Sequence, residues 1–189
     1  MQVEAESQPE VEEKKPILIT GIKRFSDHRG SFSEVYKKSY LASFGILTDF
    51  VQDNQSISRR NTIRGLHYQW NLPMDKLVRV SKGEIMDVVV NIKSSSPDFG
   101  RVHTFYLSEE NLHQLFIPSC YAHGFVALSD EAIVHYKCSN EYNKEGEGGI
   151  CPLDKTIGID WGVSSSNMII SDKDRAAQSF QEYKDNPKF

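Results

Sequence analysis

Glu84-Ile85-Met86-Asp87-Val88-Val89-Val90-Asn91-Ile92 reads as one β-strand. Met86, Val88, Val90 and Ile92 share a face at a period of two, and Ile85, Asp87, Val89 and Asn91 share the other, which is mixed. Glu131-Ala132-Ile133-Val134-His135-Tyr136-Lys137-Cys138-Ser139 keeps the same period. Ala132, Val134, Tyr136 and Cys138 share one face; Ile133, His135, Lys137 and Ser139 share the other. Tyr136 is therefore expected to point toward an apolar interior.

Outward from these two segments, short runs of Val, Ile, Phe and Tyr alternate with clusters of Gly, Asn, Asp, Ser and Pro. Further strands are expected over 17–22, 31–37, 48–58, 62–69, 76–82, 101–107, 114–118, 123–128 and 156–160. Helix signals are few. Lys38–Phe44 predicts a short helix ended by Gly45 as its C′ residue. Ser171–Tyr183 predicts a second near the C-terminus, with Ser171 as N-cap and Asp172 and Asp174 in the first turn. So many short strands make the chain all-β, a sandwich or barrel such as a jelly roll.

The chain has 189 residues, 39% of them apolar and 25% charged, which supports one packed domain. Residues 1–15 are polar and rich in Glu and Lys and are expected to be a disordered acidic tail ahead of a single domain at 16–189. A net charge of −4 argues against nucleic acid or anionic membrane as a partner. No apolar run approaches the ~20 residues of a membrane span, and none has the form of a secretory signal. Cys120, Cys138 and Cys151 are odd in number and match no zinc or redox spacing, so a cytoplasmic chain with reduced thiols is expected.

Polar residues sit in segments that otherwise read as strands. Gln52, Asn54 and Ser56 share a face; Arg64 and His67 flank Gly65; Lys76 and Arg79 interrupt an apolar run, as does His123 in Ala122-His123-Gly124-Phe125. Each has an ordinary reading: a satisfied core histidine, solvent-facing cations, a core tyrosine at 136. Together they fit a polar ligand cavity, because buried polar groups without partners cost roughly 1–3 kcal/mol each. Metal binding is the rival for histidines in a β-barrel, but His67 is followed by Tyr68 and Gln69, and His67 with His123 gives only two ligands. No metal site is expected. Phosphate-binding glycine loops and a G-x-S-x-G elbow are absent.

Ordered motifs carry a resemblance. They are Phe25-Ser26-Asp27-His28-Arg29-Gly30-Ser31-Phe32-Ser33-Glu34, Val51-Gln52-Asp53-Asn54-Gln55-Ser56, Ile63-Arg64-Gly65-Leu66-His67-Tyr68-Gln69, Lys76-Leu77-Val78-Arg79, Ala122-His123-Gly124-Phe125, Tyr136-Lys137-Cys138 and Ile170-Ser171-Asp172-Lys173-Asp174. From about Ile17 to Arg175 the chain resembles the dTDP-4-dehydrorhamnose 3,5-epimerases, a family with the cupin-type jelly-roll barrel fold. The resemblance implies a cofactor-free, metal-free isomerase acting on a dTDP-linked 4-keto-6-deoxy sugar. It implies His67 as base oriented by Asp174, Tyr136 as the opposing acid, and Lys76 beside the enolate oxygen. Arg64 and His123 would line the pocket, and Gln52, Asn54 and Tyr142 would contact sugar or phosphate. Phe25, Arg29 and Glu34 would come from the partner subunit of a homodimer that exchanges N-terminal strands.

Two consequences are open to a structural check. Asp174 lies far from His67 in sequence, so the C-terminal segment must fold back over the barrel mouth. In an unbroken strand Arg64 and His67 face opposite ways, so both reach the pocket only through a bulge, expected at Gly65. The chain also departs from the family pattern. Pro152 stands where many members carry Trp, Gly162 replaces a common proline, and Ala176-Ala177-Gln178 replaces Ala-Pro. These changes leave the implied catalytic set intact and bear on the number of centres inverted and the sugar preferred. The alternatives are a C3-only epimerase, an epimerase of another nucleotide 4-keto sugar, and a non-catalytic sugar-nucleotide-binding cupin.

Overall fold

The computed structural model describes residues 14–189; of the tail expected over 1–15, only Lys14 and Lys15 fall among them. In chain order the elements are β1 (Ile17–Ile19), β2 (Phe25–Asp27), β3 (Gly30–Phe32), α1 (Lys38–Ala42), β4 (Gln52–Arg59), β5 (Thr62–Gln69), β6 (Lys76–Lys82), β7 (Glu84–Asn91), β8 (Val102–Ser108), β9 (Gln114–Ile117), β10 (Tyr121–Ala127), β11 (Glu131–Cys138), a 3₁₀ turn (Lys144–Gly146), β12 (Glu147–Gly149), β13 (Ile169–Ile170), α2 (Asp172–Arg175) and α3 (Phe180–Asp185). One sheet has the order β1-β9-β6-β11-β4, and the other β12-β5-β10-β7-β8 with β13 added parallel to β5. β2 and β3 form a separate hairpin. The chain is an all-β jelly roll of two facing sheets, without full closure into a barrel.

The alternation read in β7 has a direct meaning. Ile85 and Val89 enter the core between the sheets, with Val78, Val80, Leu115, Phe125, Ala132 and Val134. Met86, Val88 and Val90 face the other way, under the C-terminal segment, with Leu66, Tyr68, Trp161, Phe180 and Tyr183. Both faces are covered, so the strand reads as nearly continuous apolar sequence. A third cluster, Ile19, Leu41, Ile46, Leu77 and Phe116, seats α1 on the outer face of the five-stranded sheet. α1 ends as expected: Gly45 has φ +76, and the bonds Gly45 N–H to Ala42 O and Ile46 N–H to Leu41 O form a Schellman end.

Several expected elements differ. Residues 156–158 lie in a turn and 159–160 are irregular: Asp154 Oδ1 captures the N–H groups of Thr156 and Ile157, donors a ladder would need. The strand expected over 31–37 is regular only to Phe32, and the one over 48–58 runs from Gln52 to Arg59. The helix expected over 171–183 is two helices. Ser171 caps the first, accepting from Asp174 N–H, and Ser179 starts the second with a capping box to Glu182. β12 carries two glycines and reads as a loop in sequence; a Cβ on Gly148 would stand 2.2 Å from the Tyr68 ring.

Candidate active site

β5 carries the bulge that the parity of Arg64 and His67 requires. His67 pairs with His123 and Arg64 with Phe125, so three steps of β5 oppose two of β10. Gly65 sits at the break with φ +124, and a Cβ there would lie 2.5 Å from Gly124 Cα. The two facing glycines let the strands close. Leu66 and Tyr68 then pack outward while Arg64 and His67 both face inward.

They line a cavity of about 490 Å³ between the sheets, a volume suited to a small-molecule ligand. Six of the twelve implied site residues lie on its wall: Arg64, His67, Lys76, His123, Tyr136 and Asp174. His67 and His123 come from the six-stranded sheet, Lys76 and Tyr136 from the five-stranded sheet. Tyr136 thus faces His67 from the opposite wall, with the inward orientation its strand period predicts.

The C-terminal segment does fold back. Ile169 and Ile170 pair in parallel with Thr62 and Ile63, which launches α2 over β5. Asp174 in the first turn of α2 places Oδ1 2.8 Å from His67 Nε2, and Oδ2 accepts from Gly65 N–H at 3.5 Å. Burial pushes the Asp174 carboxyl up, but the His67 bond, the Ser171 contact and the Gly65 N–H outweigh it and hold it below its ordinary value. Lys76 Nζ donates to His67 O at 3.3 Å, and burial lowers its pKa against the pull of Cys138, Asp87 and Glu147. Burial raises the Tyr136 phenol, so it is protonated at neutral pH. Arg64 is held by Ser58 Oγ at 2.9 Å and Ile57 O at 3.1 Å.

Gln52, Asn54 and Tyr142 are not on the cavity wall; they join in a hydrogen-bonded cluster of their own. Gln52 Nε2 donates to Asn54 Oδ1 at 3.0 Å, and Tyr142 N–H donates to Gln52 Oε1 at 2.9 Å. Tyr142 OH donates to Glu147 Oε2, which also accepts from Lys173 Nζ at 2.7 Å. Phe25, Arg29 and Glu34 are not brought to this cavity. Phe25 is 60% exposed on the β2–β3 hairpin, Arg29 pairs with Asp27, and Glu34 with Lys37. Sequence reasoning missed Ser58, Glu147, Lys173 and Asp87; of these, only Asp87, an acid amid an apolar strand, carried a signal. Among the described residues no group of three or more His, Cys, Asp and Glu is placed to hold a metal, and no helix is long and apolar enough to cross a membrane.

The departures from the family pattern lie away from the cavity wall. Trp161 Nε1 donates to Pro152 O at 2.8 Å, Gly162 has φ +66, which proline cannot adopt, and Gln178 Nε2 ties Tyr68 OH to Gly149 O.

Residues 14–182 match the family model described as dTDP-4-dehydrorhamnose 3,5-epimerase. The enzyme of that name from Methanothermobacter thermautotrophicus is 44% identical over 164 residues, 86% of this chain and 87% of the relative. The crystal structure of the Legionella pneumophila 3,5-epimerase with dTDP-4-keto-L-rhamnose superposes with a TM-score of 0.81 at 39% identity, covering 88% and 94% of the two chains. ChmJ, a 3'-monoepimerase from Streptomyces bikiniensis solved with dTDP-quinovose, gives 0.82 at 29% identity, covering 90% and 86%.

Proposed function

The chain belongs to the dTDP-4-dehydrorhamnose 3,5-epimerase family, and from that premise we propose that it inverts C3 and C5 of dTDP-4-dehydro-6-deoxyglucose to give dTDP-4-dehydrorhamnose. The C4 ketone acidifies the hydrogens on both neighbours. His67 removes one as a proton, leaving an enolate, and Tyr136 returns a proton to the opposite face. With Nε2 committed to Asp174, the nitrogen of His67 left for the sugar is Nδ1. Lys76 stabilises the charge that develops on O4. Solvent then returns the proton to Tyr136 and removes it from His67, so the cycle needs no cofactor.

One observation carries this reading: His67 and Tyr136 rise from different sheets onto facing walls of one cavity that also holds Lys76. The ligand bound to the Legionella relative supports the choice of sugar nucleotide. Arg64 and His123 line the bound sugar, and Gln52, Asn54 and Tyr142 contact sugar or phosphate. Phe25, Arg29 and Glu34 are supplied by a second copy in a homodimer, where arginine binds pyrophosphate through paired hydrogen bonds. The exposure of Phe25 and Phe32, 60% and 68%, supports a hairpin that is covered on assembly. Residues 16–189 act as a single domain, in the cytoplasm.

The test is proton NMR of dTDP-4-keto-6-deoxyglucose incubated with the protein in D2O. Loss of both the C3 and C5 signals is expected. Loss at C3 alone would replace this reading with the single-centre one that the likeness to ChmJ supports, and no exchange would overturn both.

A further inference from the structure

His123 is half of a second histidine–carboxylate pair. It lies across the strand pair from His67, and like His67 it gives Nε2 to a carboxylate, Asp87 Oδ2, at 2.8 Å. Asp87 is wholly buried on β7, on the inward face it shares with Ile85 and Val89. Its Oδ1 accepts no hydrogen bond among the described residues. A charge there is costly, and burial pushes the carboxyl above its ordinary range while His123 and Lys76 pull it back. Packing alone does not call for an acid at this place; an apolar side chain would satisfy the surrounding core.

The geometry explains what the acid gains. An ionised carboxylate only accepts hydrogen bonds, so the nitrogen facing it must carry a proton. Resting on the epimerase reading above, we infer that Asp87 is a positioning residue for His123, fixing the proton on Nε2, locking the ring and leaving Nδ1 as the nitrogen offered to the sugar. The cavity then has two imidazoles on adjacent strands, each oriented from behind by a carboxylate, Asp174 from α2 and Asp87 from β7.

The test combines a spectrum with a double-mutant cycle. In ¹⁵N-labelled unliganded protein, His123 is expected to show a protonated Nε2; a bare Nε2 would overturn the inference. Asp87→Asn keeps the shape but can turn an amide N–H toward the ring and reverse the tautomer. It is expected to lower kcat by about 10–100-fold with KM changed by less than about threefold. In a His123→Ala background the same substitution is expected to cost nothing further, because its effect runs through that ring. Multiplied losses in the double variant, or a folded Asp87→Asn variant with unchanged kcat, would overturn the inference. If Asp87→Asn does not fold, the nitrogen spectrum of the unmodified chain still decides. That spectrum needs no substrate, so it separates failure of this inference from failure of the epimerase reading.

Discussion

Two regions lie between the same two sheets, and they are built to opposite rules. At one end Val78 and Val80 of β6, Ala132 and Val134 of β11, and Ala127 of β10 make a packed apolar core. A step or two along the same strands, Lys76, Tyr136 and His123 line the cavity. Each strand changes character without changing period, so inward-facing positions are apolar where the sheets touch and polar where a ligand enters. Stability and chemistry are thereby separated along single strands rather than between domains, and substitutions at the two ends should fail in different ways.

The largest expected effect is at the polar end. His67→Ala should lower proton exchange by about 10²–10⁴-fold, the range for a general base, while the melting temperature stays near that of the parent. A collapse of the fold instead would show that the cavity is part of the core. At the apolar end, Leu115, fully buried, should show the reverse. Leu115→Ala is expected to cost about 2–5 kcal/mol in denaturant unfolding while the folded fraction keeps its turnover. The smallest effect sharpens the boundary. Ser58→Ala removes the 2.9 Å bond to Arg64 and should raise KM for the dTDP-linked keto sugar by about fivefold, roughly 1 kcal/mol, with kcat little changed.

Much of this division was legible in the sequence, because period and polarity report which side of a strand a residue faces. The inward turn of Tyr136, the break at Gly65 and the fold-back of Asp174 all appear where expected. What periodicity does not report is partnership. β13 is two residues long and exists only by pairing with β5, and in β12 the Tyr68 ring leaves no room for a side chain at Gly148. The strand expected at 156–160 failed for a local reason, the carboxylate of Asp154 taking the backbone donors. Asp87 was visible as an acid in an apolar run, but its partner on β10 was not. Phe25, Arg29 and Glu34 stand apart from the cavity of their own chain, and only their family motif linked them to a site.

The central claim is that the two sheets supply opposing groups to one carbon. Tyr136→Phe tests it most directly, followed by proton NMR of dTDP-4-keto-6-deoxyglucose in D2O. With His67 intact and the opposing acid removed, the account predicts deuterium uptake on the His67 face without formation of the inverted sugar. Inversion at the parental rate would contradict it and reduce Tyr136 to a packing residue.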